Sequence, residues 1–169
     1  MPKIIENLPQ RLMEEARRQV LESGYGTMTI RSVAKGCGVG TGTVYNYYAS
    51  KDDLVAAFML TDWKVCVQEI TRIAGDAAQP RPVLEAIHQN LGRFCCQYAP
   101  IFRDPAAAVG FSGSFGRYHA LLRGQLADPI RRFCCDDFTA DFIAEAMLVW
   151  TVAGKTFEEI YQPVSKLFS

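Results

Sequence analysis

Apolar residues recur at helical spacing along most of this chain, and no stretch alternates apolar and polar residues as a strand would. A first helix is predicted over residues 8–23, where an apolar residue recurs at every fourth position up to a glycine-containing turn. Ser50 and Asp53 have the spacing of a capping box and predict a long helix over about 51–74. A further helix is predicted over residues 82–98. The pattern therefore predicts an all-α fold.

The C-terminal part has more interruptions. Glycines and an Asp-Pro pair predict a short helix and a loop over residues 101–116. Residues 117–135 predict a helix that bends at Asp128 and Pro129, and residues 138–162 predict one long final helix.

The most distinctive stretch runs from Thr29 to Lys51 and predicts two short helices joined by a tight turn. Its first apolar residues share one helix face, at i, i+3, i+4 and i+7: Ile30, Val33, Ala34 and Cys37. Thr29 precedes this face as an N-cap, and Gly38 follows it, where a left-handed residue closes a helix. The second helix restarts near Thr41, with Val44 and Tyr48 on its inner side. This is the helix-turn-helix plan, whose second helix enters the DNA major groove.

At these residues the chain resembles the TetR family of bacterial transcriptional regulators, over roughly residues 8–58. The similarity rests on residue types in a fixed order: Ile30, Val33, Ala34, Gly38, Val39, Gly42, Thr43, Tyr45, Tyr47, Tyr48, Lys51 and Leu54. Gly40 departs from the family, which usually has serine or threonine there as the cap of the recognition helix. Because glycine lacks a side-chain acceptor, we expect a looser start to that helix.

The resemblance implies a helix-turn-helix DNA-binding domain at residues 1–50 and a helical effector-binding and dimerisation domain at 51–169. It implies that these residues contact DNA: Arg31, Thr41, Gly42, Thr43, Tyr45, Asn46, Tyr47 and Lys51. Thr41 and Gly42 would face base edges, whereas Thr43, Tyr45 and Lys51 would contact phosphates. The alternative is that they are solvated polar positions, but exposed tyrosines favour a partner.

For the downstream domain the resemblance implies an apolar effector pocket. The candidate lining residues are aromatic or carry a polar tip: Trp63, Phe94, Tyr98, Phe102, Tyr118, His119 and Trp150. The alternative for each of them is plain core packing. Family members usually end in two long helices that pair in a dimer, but here only residues 162–169 follow the first of them. We therefore expect the dimer interface within residues 117–135 and 138–168.

Net charge is zero overall, but it is unevenly distributed. Residues 1–51 carry seven basic and four acidic groups, a net charge of +3, and residues 52–169 carry −3. DNA binding needs a locally basic face rather than a basic whole protein. The chain has no run of 18 apolar residues and no export signal, so we expect a cytoplasmic protein without a membrane partner.

Six cysteines occur, at 37, 66, 95, 96, 134 and 135. The pairs at 95–96 and 134–135 could form a thiol sensor, or a soft-metal site with His88 or His119. Their spacing matches no metal motif, and cysteine is commonly buried, so we expect no metal and no cofactor. The chain also lacks a nucleophile elbow, a phosphate loop and a catalytic carboxylate pair, which argues against an enzyme.

The sequence thus predicts a homodimeric, sequence-specific transcriptional regulator. Most simply it is a repressor that binds an inverted-repeat operator in double-stranded DNA and is released by a small apolar effector. Two alternatives stay open: a regulator that senses oxidation through cysteine, and a protein-interaction module that has lost DNA binding.

Overall fold

The computed structural model of the protein describes residues 7–113 and 115–168. Within these ranges it has ten α-helices and two 3₁₀ turns, and no strand. The helices are α1 (Leu8–Ser23), α2 (Ile30–Cys37), α3 (Thr41–Tyr45), α4 (Lys51–Asp76), α5 (Pro80–Gln97), α6 (Ala99–Phe102), α7 (Pro105–Phe111), α8 (Phe115–Ala127), α9 (Asp137–Val152) and α10 (Phe157–Val164). The predicted all-α fold is confirmed.

The described residues form two compact units. The first contains residues 7–62 and 98–113, and the second contains residues 63–97 and 115–168. Helix α4 contributes residues to both units. This division differs from the boundary that we expected at residue 51, because the first part of α4 and the α6–α7 segment belong to the first unit.

The first unit is built on α1, α2 and α3, and their inner faces are set by apolar residues at helical spacing. Leu12 and Val20 of α1, Val33 of α2 and Val44 of α3 are fully buried. Helix α2 starts with a capping box, in which Thr29 accepts from the backbone of Ser32 and Ser32 accepts in return. Each half of this box satisfies a backbone N–H that the first helical turn would otherwise leave unpaired.

Helix α2 ends at Gly38, which is left-handed with φ 71°. A Cβ would make that conformation unfavourable, so glycine allows the tight turn into α3. The N-cap at Thr29 and the C-cap at Gly38 are both as predicted. At the start of α4 the backbone N–H of Asp53 donates to the Ser50 hydroxyl at 3.0 Å, as the capping-box spacing predicted.

The second unit packs α9 against α5 and α8, with α10 against α9 and α5. Its core is formed by side chains from all of these helices: Val83, Leu84, Ile87, Leu91, Leu126, Ile143, Met147 and Ile160. Arg132 follows α8 and donates to the backbone carbonyls of Ala74 and Ala77, which lie at the C-terminal end of α4. Ala74 lies in the last turn of α4 and Ala77 just after it, where carbonyls lack partners within a helix, so the guanidinium caps this end.

Three predicted elements differ from the structure. The single helix over 138–162 is wrong, because α9 ends at Val152, Gly154 takes a left-handed φ of 83°, and a new capping box starts α10 at Thr156. Residues 101–116 contain the end of α6, all of α7 and the start of α8 rather than one helix and a loop, and the helix expected over 117–135 ends at Ala127. Among the described helices, none combines the length and apolar character needed to cross a bilayer.

Candidate nucleic-acid interface

Helix α3 has one buried and one exposed side. Val44 is fully buried against the unit, whereas Thr41, Gly42 and Tyr45 are exposed. Tyr45 keeps 55% of its surface accessible and Tyr47 keeps 50%. Two exposed aromatic side chains thus lie on the same short segment, and exposed apolar groups that cluster indicate an interaction site. The exposed side of α3 therefore carries small polar groups flanked by aromatic ones.

The start of α3 is held by backbone alone. Gly40 occupies the N-cap position without a side-chain hydrogen bond, and the Thr43 N–H donates to the Gly40 carbonyl at 3.0 Å. The helix is short and ends at Tyr45, so Asn46 is its C-cap and Tyr47 lies beyond it. The sequence pattern indicates a helix through both residues. Their exposed side chains instead extend from the turn between α3 and α4.

Arg31 lies in the first turn of α2 and is exposed. The adjacent Ser32 hydroxyl contacts Gln19 of α1 as well as the Thr29 cap, which fixes the first turn of α2 to α1. Arg31 is thus an exposed cation on a well-anchored helix start.

Lys51 is more constrained than the resemblance implies. Its ammonium donates to the backbone carbonyl of Tyr25 and lies 4.0 Å from the centroid of the Tyr25 ring. Partial burial lowers the pKa of Lys51, an effect that the nearby carboxylates of Asp52 and Asp104 oppose. The side chain is half-buried, and its ammonium is held on the turn between α1 and α2.

Tyr25 is the residue of this region that sequence reasoning misses. The pattern indicates only a helix-ending turn there, because Tyr25 lies between two glycines. In the structure its ring is buried and its hydroxyl donates to the Asp52 carboxylate. Burial, and then this hydrogen bond, raise the pKa of the phenol well above its usual range. The only sign of this buried role in the sequence is that Tyr25 is an aromatic residue next to a glycine.

The effector candidates fall in both units. In the first, Tyr98 is fully buried and its hydroxyl donates to Asp62, whereas Phe102 is exposed on α6. In the second, Trp63 and Phe94 are buried and meet edge to face, with ring centroids 5.4 Å apart. The indole N–H of Trp63 donates to the Gln125 side chain at 2.7 Å. Core packing accounts for these buried rings.

The remaining three candidates lie on α8 and α9 of the second unit. Tyr118 is partly exposed, and its ring lies beside the Arg117 guanidinium. The Nε2 atom of His119 lies 3.5 Å from the Oε1 atom of Glu145. Trp150 is half exposed on α9.

All six cysteines lie in the described part of the chain and are free thiols. Cys134 has an extended backbone, and its thiol donates a hydrogen bond to the Ile130 carbonyl. The Cys135 thiol donates a hydrogen bond to the Asp136 carboxylate. Burial raises the pKa of Cys95 to about 11 and also raises the pKa values of Cys66 and Cys134. In the ranges that the structure covers, no three histidine, cysteine or carboxylate side chains gather as metal ligands.

Comparison with known proteins matches the helix-turn-helix segment. Residues 12–58 match the family described as bacterial regulatory proteins, tetR family. The HTH-type transcriptional regulator HbdR of Aromatoleum sp. (strain CIB) is 32% identical over 71 residues, which are 42% of this chain. The match spans only 31% of HbdR's own length.

Solved structures extend the similarity of fold along the chain. FadR of Thermus thermophilus, a TetR-family transcriptional repressor in complex with lauroyl-CoA, is 18% identical with a TM-score of 0.63, over 95% of this chain and 92% of FadR. RolR in complex with resorcinol is 17% identical with a TM-score of 0.62, over 95% and 87%. The relatives matched in sequence are HTH-type transcriptional regulators, the class of protein that the sequence predicts. Residues 12–58 thus match the helix-turn-helix segment of the TetR family of transcriptional regulators, and the chain shares its all-helical fold with a solved TetR-family structure.

Proposed function

We propose that this protein is a sequence-specific DNA-binding transcriptional regulator whose recognition surface is the exposed side of α3 with the turn that follows it. The observation that carries the proposal is the arrangement of Thr41, Gly42, Tyr45 and Tyr47, all exposed around the buried anchor Val44. The net charge of +3 over residues 1–51 adds the local positive potential that a phosphate backbone attracts.

Within this surface the residues have different tasks. Thr41 and Gly42 are at the N-terminal end of α3, the end that points into the major groove in helix-turn-helix proteins. The hydroxyl of Thr41 reads base edges, and the missing side chain of Gly42 permits close approach. The phosphates are contacted by Thr43, Tyr45, Tyr47 and Lys51. These contacts fix the position of the helix without reading sequence. Arg31 and Asn46 extend the contacts on either side.

The proposed functional form is a homodimer that joins two copies through α8 and α9. Phe138 and Phe142 of α9 are 77% and 54% exposed, and Val149 and Val152 continue the same face. Their spacing of i, i+4, i+11 and i+14 makes one apolar stripe of a helix. A second copy covers this stripe by two-fold symmetry and places two α3 helices about 34–36 Å apart for an inverted repeat.

The regulatory signal is a small apolar molecule that binds in the second unit and releases the repressor from DNA. Its candidate contacts are the residues of the second unit that keep exposed surface: Tyr118, His119 and Trp150. FadR with lauroyl-CoA and RolR with resorcinol are relatives in fold that bind organic ligands. The ligand shifts the equilibrium only by its different affinity for the two states of the protein, and a coupling of roughly 1–3 kcal/mol changes DNA affinity about 5–150-fold.

Selection from a random duplex library, with sequencing of the retained DNA at fixed salt, tests the proposal. The expected result is enrichment of one inverted repeat by the wild-type protein. Tyr45→Ala serves as the comparison, because it removes a phosphate contact from an exposed position without disturbing the core. A folded wild-type protein that enriches no sequence would contradict the proposal and favour a protein-interaction module.

A further inference from the structure

Asp104 contacts two different parts of the first unit with one carboxylate. Its Oδ1 accepts from the Ala106 N–H at 2.8 Å and so caps the start of α7. Its Oδ2 accepts from the Gly26 N–H at 3.0 Å, in the turn between α1 and α2. The same side chain that begins α7 therefore fastens α7 to the helix-turn-helix.

The other end of α7 also meets this region. A Cβ placed on Gly110 would lie 2.7 Å from Oδ1 of Asp52, so only glycine leaves room for the carboxylate. The Phe111 ring lies beside the Tyr25 ring, with centroids 6.1 Å apart. The Asp52 carboxylate in turn accepts a hydrogen bond from the Tyr25 hydroxyl. Both ends of α7 thus hold the turn that contains Tyr25 and Gly26.

This turn determines where the ammonium of Lys51 lies. Lys51 donates to the Tyr25 carbonyl and its ammonium stands over the Tyr25 ring. A lysine side chain is long and has many rotamers, and an unanchored one gives up that freedom when it binds a phosphate. The contacts with Tyr25 already restrict the rotamers of Lys51, so much of this conformational entropy is lost before DNA binds. The series of interactions runs from Asp104 and Gly110 through Tyr25 to Lys51.

On the basis of the proposed function, we infer that Asp104 and Gly110 are positioning residues for DNA binding, acting through Tyr25 on the phosphate contact of Lys51. Both residues lie outside the segment 12–58 that matches the family. They belong to the α6–α7 segment, which is continuous in sequence with α5 and α8 of the second unit. DNA affinity therefore depends on residues that never touch DNA.

Gly110→Ala is the first test variant. The added methyl group forces the Asp52 carboxylate away from Tyr25, while alanine favours the helical backbone of α7 more than glycine does. Gly113→Ala is the matched control, because a Cβ there meets nothing within 4 Å. Asp104→Ser is the second variant. Its short hydroxyl keeps the cap of α7 but has no second oxygen for Gly26.

Binding of the whole chain to the inverted repeat recovered by selection is measured against salt concentration. We expect Gly110→Ala and Asp104→Ser to bind roughly tenfold more weakly, with a salt slope smaller in magnitude by about 0.9 for each phosphate that the variant no longer neutralises. Gly113→Ala should match the wild type. A thermal unfolding scan accompanies each variant, and if Gly110→Ala does not fold, Asp104→Ser decides the matter.

A double-mutant cycle separates this role from a general structural one. In a Lys51→Ala background, Gly110→Ala should have no further effect on affinity or salt slope. An equal decrease in both backgrounds, or weaker binding with an unchanged slope, would overturn the inference. If the wild type binds no duplex at all, the proposed function fails and this inference with it. If the wild type binds and both variants bind equally well, only the inference fails.

Discussion

The hydroxyl of Tyr98 donates a hydrogen bond to the carboxylate of Asp62, and Arg17 forms an ion pair with the same carboxylate. Tyr98 is fully buried, and its ring lies beside that of Phe58. The three polar residues come from α1, α4 and the residue before α6, so one carboxylate joins three elements of the first unit. A polar network of this kind is stabilising only while every member keeps its partner.

Tyr98→Phe tests this network. The variant keeps the ring but removes the hydrogen bond to a charged group, so the free energy of unfolding should fall by about 1–3 kcal/mol. Urea denaturation followed by circular dichroism measures the change. Tyr47→Phe is the control, since Tyr47 is half exposed, and its stability should stay within about 0.5 kcal/mol of wild type. A Tyr98→Phe variant as stable as wild type would show that the bond is energetically neutral.

Phe142→Asp tests the homodimer. A carboxylate in the middle of the apolar stripe of α9 cannot be buried without a partner, so the variant should be monomeric and bind the inverted repeat far more weakly. Sedimentation velocity gives the oligomeric state. Val65→Asp is the matched control, because Val65 is an exposed valine of α4 and lies outside the stripe. If Phe142→Asp remains dimeric, the interface lies elsewhere.

Oxidation of Cys95 should not regulate DNA binding. At neutral pH a thiol with the pKa of about 11 that burial gives Cys95 is almost entirely protonated, and the thiolate is the reactive form. Treatment with hydrogen peroxide, followed by a binding measurement on the selected repeat, should leave affinity unchanged. A decrease in affinity that a thiol reductant reverses would instead support the redox-sensing alternative.

Acid should weaken α10 through Glu159. Hydrogen bonds from Lys155 and the Thr156 cap lower the pKa of Glu159 from 4.5 to about 2. Because the folded-state pKa is the lower one, this contribution to stability is complete above about pH 5 and disappears as the pH falls towards 2. Glu159→Gln removes the titrating group, so its melting temperature should change less between pH 5 and pH 3 than that of wild type. An identical change in both proteins would contradict this assignment.

A helix end can be predicted from the sequence when only residues close to it determine where it lies. The cap at Thr29, the left-handed Gly38 and the inward Val44 could all be predicted, because hydroxyl caps and glycine turns act over a few residues. The break between α9 and α10 has a local signal too, the Thr156 and Glu159 capping box. The apolar pattern continues through this break, however, so the sequence alone favours a single helix.

Contacts between distant parts of the chain could not be predicted in this way. Nothing in the sequence around Lys51 indicates that its ammonium lies on Tyr25, and nothing near Gly26 indicates its bond to Asp104. These contacts depend on how α1, α4 and α7 pack together. Similarly, a tryptophan at helical spacing fits a core or a pocket equally well, and only the structure shows Trp63 buried against Phe94.

The central claim is that the exposed side of α3 reads DNA sequence, and the most direct test is parallel selection with wild type, Thr41→Ala and Thr43→Ala. Thr43→Ala should retain the wild-type motif with uniformly weaker binding, because a phosphate contact carries no sequence information. Thr41→Ala should change the preferred base at the same position of both half-sites. If Thr41→Ala selects the wild-type motif and only binds more weakly, the assignment of base recognition to this surface is wrong.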